Sequence, residues 1–93
     1  MAVTRRRVVV HGHVQGVFFR DTTRRLARQR GTSGWVRNRP DGSVELEVSG
    51  DESAYREFLG TVREGPPGAR VDDVQEITSN HAESLPQPFT IIR

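Results

Sequence analysis

Residues 10–20 read VHGHVQGVFFR, an apolar strand that turns through glycines into a helix. Gly12 and Gly16 can adopt backbone conformations closed to other residues, so successive N–H groups can converge on one point. The helix N-terminus adds partial positive charge there, and the planar guanidinium of Arg20, in the first helical turn, matches two oxygens of a phosphate. The stretch therefore predicts an anion-binding loop.

The segments on either side of this loop predict a strand and a helix. Residues 5–11, RRRVVVH, form a short run rich in β-branched valine, which favours a central strand. From residue 18 to residue 30, apolar residues recur at helical spacing between arginines, and Gly31 is a typical helix stop. We therefore expect strand one at 5–11 and helix one at 18–30.

The next segment predicts a hairpin followed by a second helix. The turn sequence RPDG at 39–42 separates strand two (34–38) from strand three (43–49), in which apolar and acidic residues alternate. Residues 52–64 carry an apolar stripe at helical spacing, and the sequence GPPG at 65–68 ends that helix.

The remaining residues predict a strand, a loop and a terminal strand. Apolar and polar residues do not alternate cleanly in residues 71–78, which favours a strand with a bulge. Residues 79–88 are expected to form a polar loop, and residues 89–93 a short edge strand. The order β-α-β-β-α-β predicts a ferredoxin-like α+β sandwich, with four antiparallel strands, the edge strand, and both helices on one face. We expect one domain over 1–93, with these aromatic residues in its core: Phe18, Phe19, Trp35 and Phe58.

Charge and composition narrow the class of protein. All 14 basic residues are arginine, and the net charge is only +2. Residues 1–39 hold 10 arginines against the single acid Asp21, so the anionic partner belongs to that part of the chain. The sequence has no cysteine, no secretory pattern and no stretch of ~20 apolar residues, which predicts a cytoplasmic protein without a membrane span.

The spacing within the loop excludes several kinds of phosphate chemistry. A Walker loop needs four residues between its glycines and a following lysine, whereas three separate Gly12 from Gly16. Val14 stands where a cysteine phosphatase would carry its thiolate, and Asp21 is the only acid in the first 40 residues, which disfavours a metal site. The remaining chemistry is positioning and electrostatics, which suffice for an activated phosphate.

Asn38 is the second candidate residue, because the middle strands of the sheet should bring the end of strand two near the loop. Its carboxamide can accept a hydrogen bond from water and donate one to an oxyanion. It can equally be a turn asparagine before the RPDG sequence, and Arg20 can be a solvated helix arginine. The arginines that follow on helix one are expected on a solvated face: Arg24, Arg25 and Arg28.

The segments VHGHVQGVFFR at 10–20 and GWVRNRPDGSVELEVSG at 34–50 closely resemble the acylphosphatase family, as do GPPGARVDDV at 65–74 and FTIIR at 89–93. The resemblance implies that Arg20 binds phosphate and that Asn38 orients the attacking water. Arg39 departs from the family, in which many members have a small hydroxyl or thiol residue there. The resemblance also implies that phosphate is held by the backbone amides of the loop: Val14, Gln15, Gly16, Val17, Phe18 and Phe19.

The expected function is that of an acylphosphatase, which hydrolyses an acyl phosphate to a carboxylate and phosphate without a cofactor or metal. The expected ligands are a small acyl phosphate and inorganic phosphate or sulfate as product or inhibitor, bound by a monomer with no nucleic-acid or membrane partner.

Two alternative functions stay open. One is a non-catalytic module that binds acyl or carbamoyl phosphate. The other is an RNA-binding domain, although strands one and three lack aromatic residues for base stacking.

Overall fold

The computed structural model describes residues 3–78 and 85–92. Within them the chain forms, in order, β1 (Val3–His13), α1 (Phe19–Gln29), β2 (Ser33–Asn38), β3 (Val44–Asp51), α2 (Glu52–Glu64), β4 (Arg70–Thr78) and β5 (Thr90–Ile91). The order of elements and the bounds of the second helix agree with the sequence prediction. The predicted loop at 79–88 lies mostly outside the described residues, as does Arg93 of the predicted edge strand.

The strands form one sheet in the order β4-β1-β3-β2-β5. The first four strands pair antiparallel, whereas β5 pairs parallel with β2, with Val36 opposite Ile91. Core side chains of both helices pack against the same set of strand residues, so the helices share one face of the sheet. This arrangement confirms the ferredoxin-like α+β prediction, and the parallel edge strand makes the sheet mixed.

Strand β1 is longer than predicted because both of its neighbours pair along it. It pairs with β3 from Val3 to Val10, and with β4 from Arg6 to His13. The predicted bulge is present in β4, since the register passes from His11 opposite Asp73 to Gly12 opposite Val71. The extra residue bends this edge of the sheet beside the end of β1.

The hydrophobic core lies between the sheet and the helices. Phe58 and Phe89 are both fully buried there, with ring centroids 6.1 Å apart. Phe19 is also buried, so the core prediction is confirmed for Phe19 and Phe58. Burying an aromatic side chain of this size contributes about 1.5–3 kcal/mol to folding, which makes these rings principal contributors to the core.

The core prediction is wrong for Phe18 and incomplete for Trp35. Trp35 precedes the buried Val36 in β2, so its side chain lies on the sheet face away from the helices, half-buried beneath the guanidinium of Arg37. Phe18 is 83% exposed, because it lies just before α1 on a left-handed backbone that turns it out of the helix face. The apolar character of Trp35 and Phe18 alone did not reveal the direction in which either side chain points.

The sheet face away from the helices is covered by ion pairs. Glu47 is buried and accepts hydrogen bonds from Arg5 at 2.6 Å and Arg7 at 3.1 Å, and Glu45 pairs with Arg37 at 2.6 Å. Burial alone would raise the pKa of Glu47, but the hydrogen bonds and the positive charges of Arg5 and Arg7 together leave that pKa below its usual value. Three of the ten arginines in residues 1–39, namely Arg5, Arg7 and Arg37, are therefore paired with acids of β3.

Candidate active site

Residues 14–18 connect β1 to α1 and leave their backbone N–H groups open. Gly16 and Phe18 both have positive φ, at 75° and 59°. The first helical hydrogen bond of α1 runs from the Thr22 N–H to the Phe18 carbonyl. Within residues 3–78 and 85–92, no acceptor takes a hydrogen bond from the N–H groups of residues 15–21. The segment therefore presents a row of free donors at a helix N-terminus, which is a general anion-binding arrangement.

The two helices differ at their N-termini. In α2 the side chain of Asp51 caps the helix by accepting from the N–H groups of Ser53, at 2.9 Å, and Ala54, at 3.4 Å. In α1 the corresponding position is Phe18, whose side chain cannot accept a hydrogen bond and makes none. A cap such as that of Asp51 is worth about 1 kcal/mol, so α1 gives up this stabilisation and keeps its N–H groups available.

Gly12 does not belong to the anion loop, contrary to the sequence prediction. It lies inside β1, where its φ is 134° and an added Cβ would come within 2.1 Å of the Arg70 carbonyl oxygen of β4. The need for glycine there comes from the close approach of β4 at the bulge. Gly16, by contrast, has open space around its Cα, so only its backbone conformation requires glycine.

A pocket of about 330 Å³ lies against this loop and the end of β2. It brings together Arg20, Asn38 and part of the loop, as expected for a site shared by these segments. The residues that line it are Val14, Gly16, Phe18, Phe19, Arg20, Asp21, Asn38 and Ile91.

Arg20 enters this pocket without a carboxylate partner in the described part of the chain. Asp21 is the acid next to it, and it pairs instead with Arg24 and, at 3.6 Å, with Arg25. Arg24 and Arg25 therefore do more than form the predicted solvated face, because they pair with the one acid among the described residues that line the pocket. The guanidinium of Arg20 is left to bind an external anion.

Asn38 is the last residue of β2, and its Oδ1 is buried without a hydrogen-bond donor from any described residue. A buried acceptor left unpaired costs about 1–3 kcal/mol, a cost that a donor bound in the pocket can offset. The hairpin turn does not use this side chain. The Arg39 N–H bonds to the Ser43 carbonyl at 2.8 Å, and Asp41 Oδ1 accepts from the Ser43 N–H at 2.9 Å. These contacts favour a site role for Asn38 over a turn role.

Gln15 and Val17 belong to the loop but do not line the pocket. Val17 packs against the core. The side chain of Gln15 turns to the β2–β3 hairpin, where its Nε2 donates to the carbonyls of Arg39, at 2.8 Å, and Ser43, at 2.9 Å. Gln15 thus joins the loop to the segment that directly follows Asn38, a contact that the sequence prediction missed.

Asp21 and Ile91 also line the pocket and were not predicted to do so. Asp21 could have been found from its place beside Arg20 in the first turn of a helix. Ile91 reaches the pocket only because β5 pairs with β2, and a strand of two residues so far along the chain carries no local signal of that pairing.

The described residues also bear on other kinds of site. Among residues 3–78 and 85–92, no three His, Asp or Glu side chains are grouped so that they could bind a metal ion. Neither α1 nor α2 has the length and apolar character of a helix that crosses a membrane.

This chain is similar in sequence to known proteins. The family model described as "Acylphosphatase" matches residues 6–91. An acylphosphatase of Rubrobacter xylanophilus is 55% identical over 69 residues, which cover 74% of this chain and 63% of that protein. The chain thus spans a little under two thirds of that relative.

Solved structures show the same likeness. The crystal structure of acylphosphatase from Bacillus subtilis has a TM-score of 0.90 and 36% identity, covering 99% of this chain and 100% of that one. Full-length HypF, in a phosphate- and nucleotide-bound form, matches with a TM-score of 0.83 and 25% identity, over 99% of this chain but 12% of HypF. The resemblance seen in the sequence motifs is therefore confirmed.

Proposed function

This chain belongs to the acylphosphatase family, and from that premise we propose how it hydrolyses the carboxyl–phosphate bond of an acyl phosphate. Arg20 and the N–H groups of the loop from Val14 to Phe19 hold the phosphate, and Asn38 orients the attacking water. The products are a carboxylate and inorganic phosphate. The observation that carries the proposal is that three groups meet at one pocket. Within residues 3–78 and 85–92 they are a guanidinium without an ion-pair partner, an uncapped helix start and a buried amide oxygen without a donor.

The proposed reaction needs only groups of this kind. Water attacks phosphorus in line with the bond to the acyl oxygen, that bond breaks, and its electron pair leaves on the carboxylate. The proton of the water passes to a phosphate oxygen. Asn38 Oδ1 accepts a hydrogen bond from the water, which fixes its direction of attack. Arg20 and the loop N–H groups stabilise the charge on the phosphate oxygens in the transition state.

The carboxylate is a good leaving group, so a protein acid is not needed to protonate it. Asp21 is the only acid among the described residues that line the pocket, and it is engaged in ion pairs with Arg24 and Arg25. A phosphomonoester, whose alkoxide leaves far less readily, should therefore be a poor substrate.

A second candidate function is binding of an acyl or carbamoyl phosphate without turnover. The specific observation behind it is the likeness to part of HypF, a much larger protein described in a phosphate-bound form. The same pocket would serve either function, because binding the phosphate requires Arg20 and the loop but not the water-orienting role of Asn38. Monomeric state, cytoplasmic location and the lack of a nucleic-acid partner stay predictions from the sequence.

Release of inorganic phosphate from acetyl, carbamoyl and benzoyl phosphate tests this proposal. A phosphomonoester serves as the control substrate, and each assay is repeated with a chelator. We expect release from acyl phosphates only, unaffected by the chelator and inhibited competitively by inorganic phosphate. Phosphate binding without release would favour the binding module, and activity that a chelator abolishes and a divalent ion restores would contradict the metal-independent mechanism.

A further inference from the structure

Phe18 is exposed in a way that core packing does not explain. Its side chain is 83% exposed, and the other large apolar side chain exposed in the described residues, Ile77, is 49% exposed. The Phe18 backbone has φ 59° and ψ 24°, a left-handed conformation that is unfavourable for residues other than glycine and asparagine. An aromatic side chain that is both exposed and held on such a backbone contributes little to folding.

The position of Phe18 relates it to the candidate active site. Phe18 lines the same pocket as Arg20 and Asn38, and so does Ile91, a half-buried residue of β5. The pocket therefore has a polar part, formed by Arg20 and Asn38, and an apolar part, to which Phe18 and Ile91 contribute.

The pocket is larger than a bound phosphate group requires. Its volume of about 330 Å³ is roughly ten times the ~30 Å³ that one water molecule occupies in the liquid. A phosphate group held by Arg20 and the loop N–H groups would fill only part of that space. The acyl group is bonded to this phosphate, so it must occupy adjoining space, and Phe18 and Ile91 offer it apolar contact.

We propose that Phe18, together with Ile91, forms a subsite for the acyl group and favours acyl phosphates with an aromatic or bulky apolar acyl group over acetyl phosphate. The inference rests on the proposed function, since it assumes that Arg20 holds the phosphate. Aromatic side chains attract aromatic ligands beyond simple area burial, so the preference should be greatest for a benzoyl group. Phe18 is then a specificity-determining residue, whereas Arg20 and Asn38 act on every acyl phosphate.

The test compares kcat/KM for benzoyl phosphate and acetyl phosphate in the parent protein and three variants. Phe18→Asn removes the ring but suits the left-handed backbone. Phe18→Trp keeps an aromatic ring, and Ile77→Ala removes an exposed apolar side chain that does not line this pocket. We expect the benzoyl-to-acetyl ratio to fall about fivefold in Phe18→Asn, the size of one aromatic contact, and to stay near the parental value in the other two.

A binding measurement separates failure of the subsite from failure of the proposed function. Benzylphosphonate and methylphosphonate resist hydrolysis, and calorimetry gives their affinity ratio whether or not the protein turns over a substrate. Phe18→Asn should lower that ratio about fivefold. Ile77→Ala, whose residue does not line the pocket, should leave both that ratio and the affinity for inorganic phosphate at the parental values. An unchanged ratio in Phe18→Asn, in kinetics or in binding, would overturn the proposal.

Discussion

The side chain of Gln15 donates a hydrogen bond of 2.8 Å from its Nε2 to the backbone carbonyl of Arg39. A second bond, of 2.9 Å, reaches the Ser43 carbonyl, so one amide group spans the base of the β2–β3 hairpin. Because Arg39 directly follows Asn38, these bonds hold the anion loop and the candidate water-orienting residue at a fixed separation. Loop and hairpin are far apart in the sequence, so no local interaction could do this.

Replacing Gln15 should therefore affect catalysis more than folding. In Gln15→Leu the carbonyls of Arg39 and Ser43 each keep one hydrogen bond from a backbone N–H group. The free energy of unfolding should therefore fall by only about 1 kcal/mol. We expect kcat for acetyl phosphate to fall roughly tenfold as Asn38 loses its fixed position. Thr61→Ala is the matched control, since it also removes a side-chain bond to a carbonyl, that of Glu57, but far from the pocket. Equal losses of kcat in the two variants would remove Gln15 from this role.

Arg20→Lys should weaken phosphate binding severely, although it keeps the positive charge. An ammonium group cannot make the two coplanar contacts of a guanidinium, and hydrogen bonds to a charged group are each worth about 1.5–3 kcal/mol. We expect the affinity for inorganic phosphate to fall about 10- to 100-fold. Titration calorimetry measures this directly. Arg25→Lys, on the same helix, is the control and should bind phosphate normally, and near-normal binding by Arg20→Lys would mean that Arg20 is not the phosphate ligand.

Gly16→Ala should damage anion binding while the fold persists. The added Cβ meets no atom within 4 Å, so the cost comes from the positive φ of 75° and amounts to about 1–2 kcal/mol. Relief of that strain moves the loop N–H groups, and we expect phosphate affinity to drop at least roughly fivefold. Gly60→Ala, where α2 also has open space but no positive φ, should instead stabilise the protein by about 0.5–1 kcal/mol. Normal phosphate affinity in Gly16→Ala would show that the loop is not the anion site.

The acid stability of the protein should depend on Glu47. Its pKa is lowered in the folded state from an ordinary value of 4.5, so its contribution to stability is fully present above that value and is lost as the pH falls through the lowered folded pKa. Glu47→Gln should lower the free energy of unfolding by about 2 kcal/mol at pH 7, less than for a fully buried pair because Arg5 and Arg7 reach solvent.

Urea unfolding at pH 7 and at low pH checks this expectation. The difference between the parent and Glu47→Gln should shrink as the pH falls, because the parental side chain becomes neutral like glutamine. Glu52→Gln, at an exposed ion pair with Arg56, should change stability by less than about 0.5 kcal/mol at either pH. If the difference in unfolding free energy between the parent and Glu47→Gln did not change with pH, the charge of Glu47 would not be what stabilises the fold.

Local patterns in the sequence predict most of the fold. β-Branched runs, helical spacing and the Gly and Pro breaks identify each strand and helix, because these features act within a few residues. The pairing of β5 with β2 was not predictable in this way. It brings Ile91 beside the loop, yet the two segments lie more than 50 residues apart, with Val36 opposite Ile91.

The candidate site was likewise only partly predictable from local sequence patterns. Arg20, Asn38 and the loop could be predicted because their chemistry is carried by residue type and spacing. The outward direction of Phe18 could not, since it depends on one backbone dihedral angle, and the bond from Gln15 to Arg39 depends on the final packing of loop against hairpin. Glu47 is likewise buried beside arginines of the neighbouring strand, a contact that depends on how β1 pairs with β3.

Asn38→Ala gives the most direct test of the proposed mechanism, because it separates binding from catalysis. Arg20 and the loop N–H groups would still hold phosphate, but the attacking water would lose the acceptor that orients it. The measurement is kcat for acetyl phosphate alongside phosphate affinity and thermal unfolding, all on the same purified Asn38→Ala protein. We predict a fall in kcat of about 10²–10³ with phosphate affinity and folding nearly unchanged. A folded Asn38→Ala protein that hydrolyses acetyl phosphate at the parental rate would contradict the account.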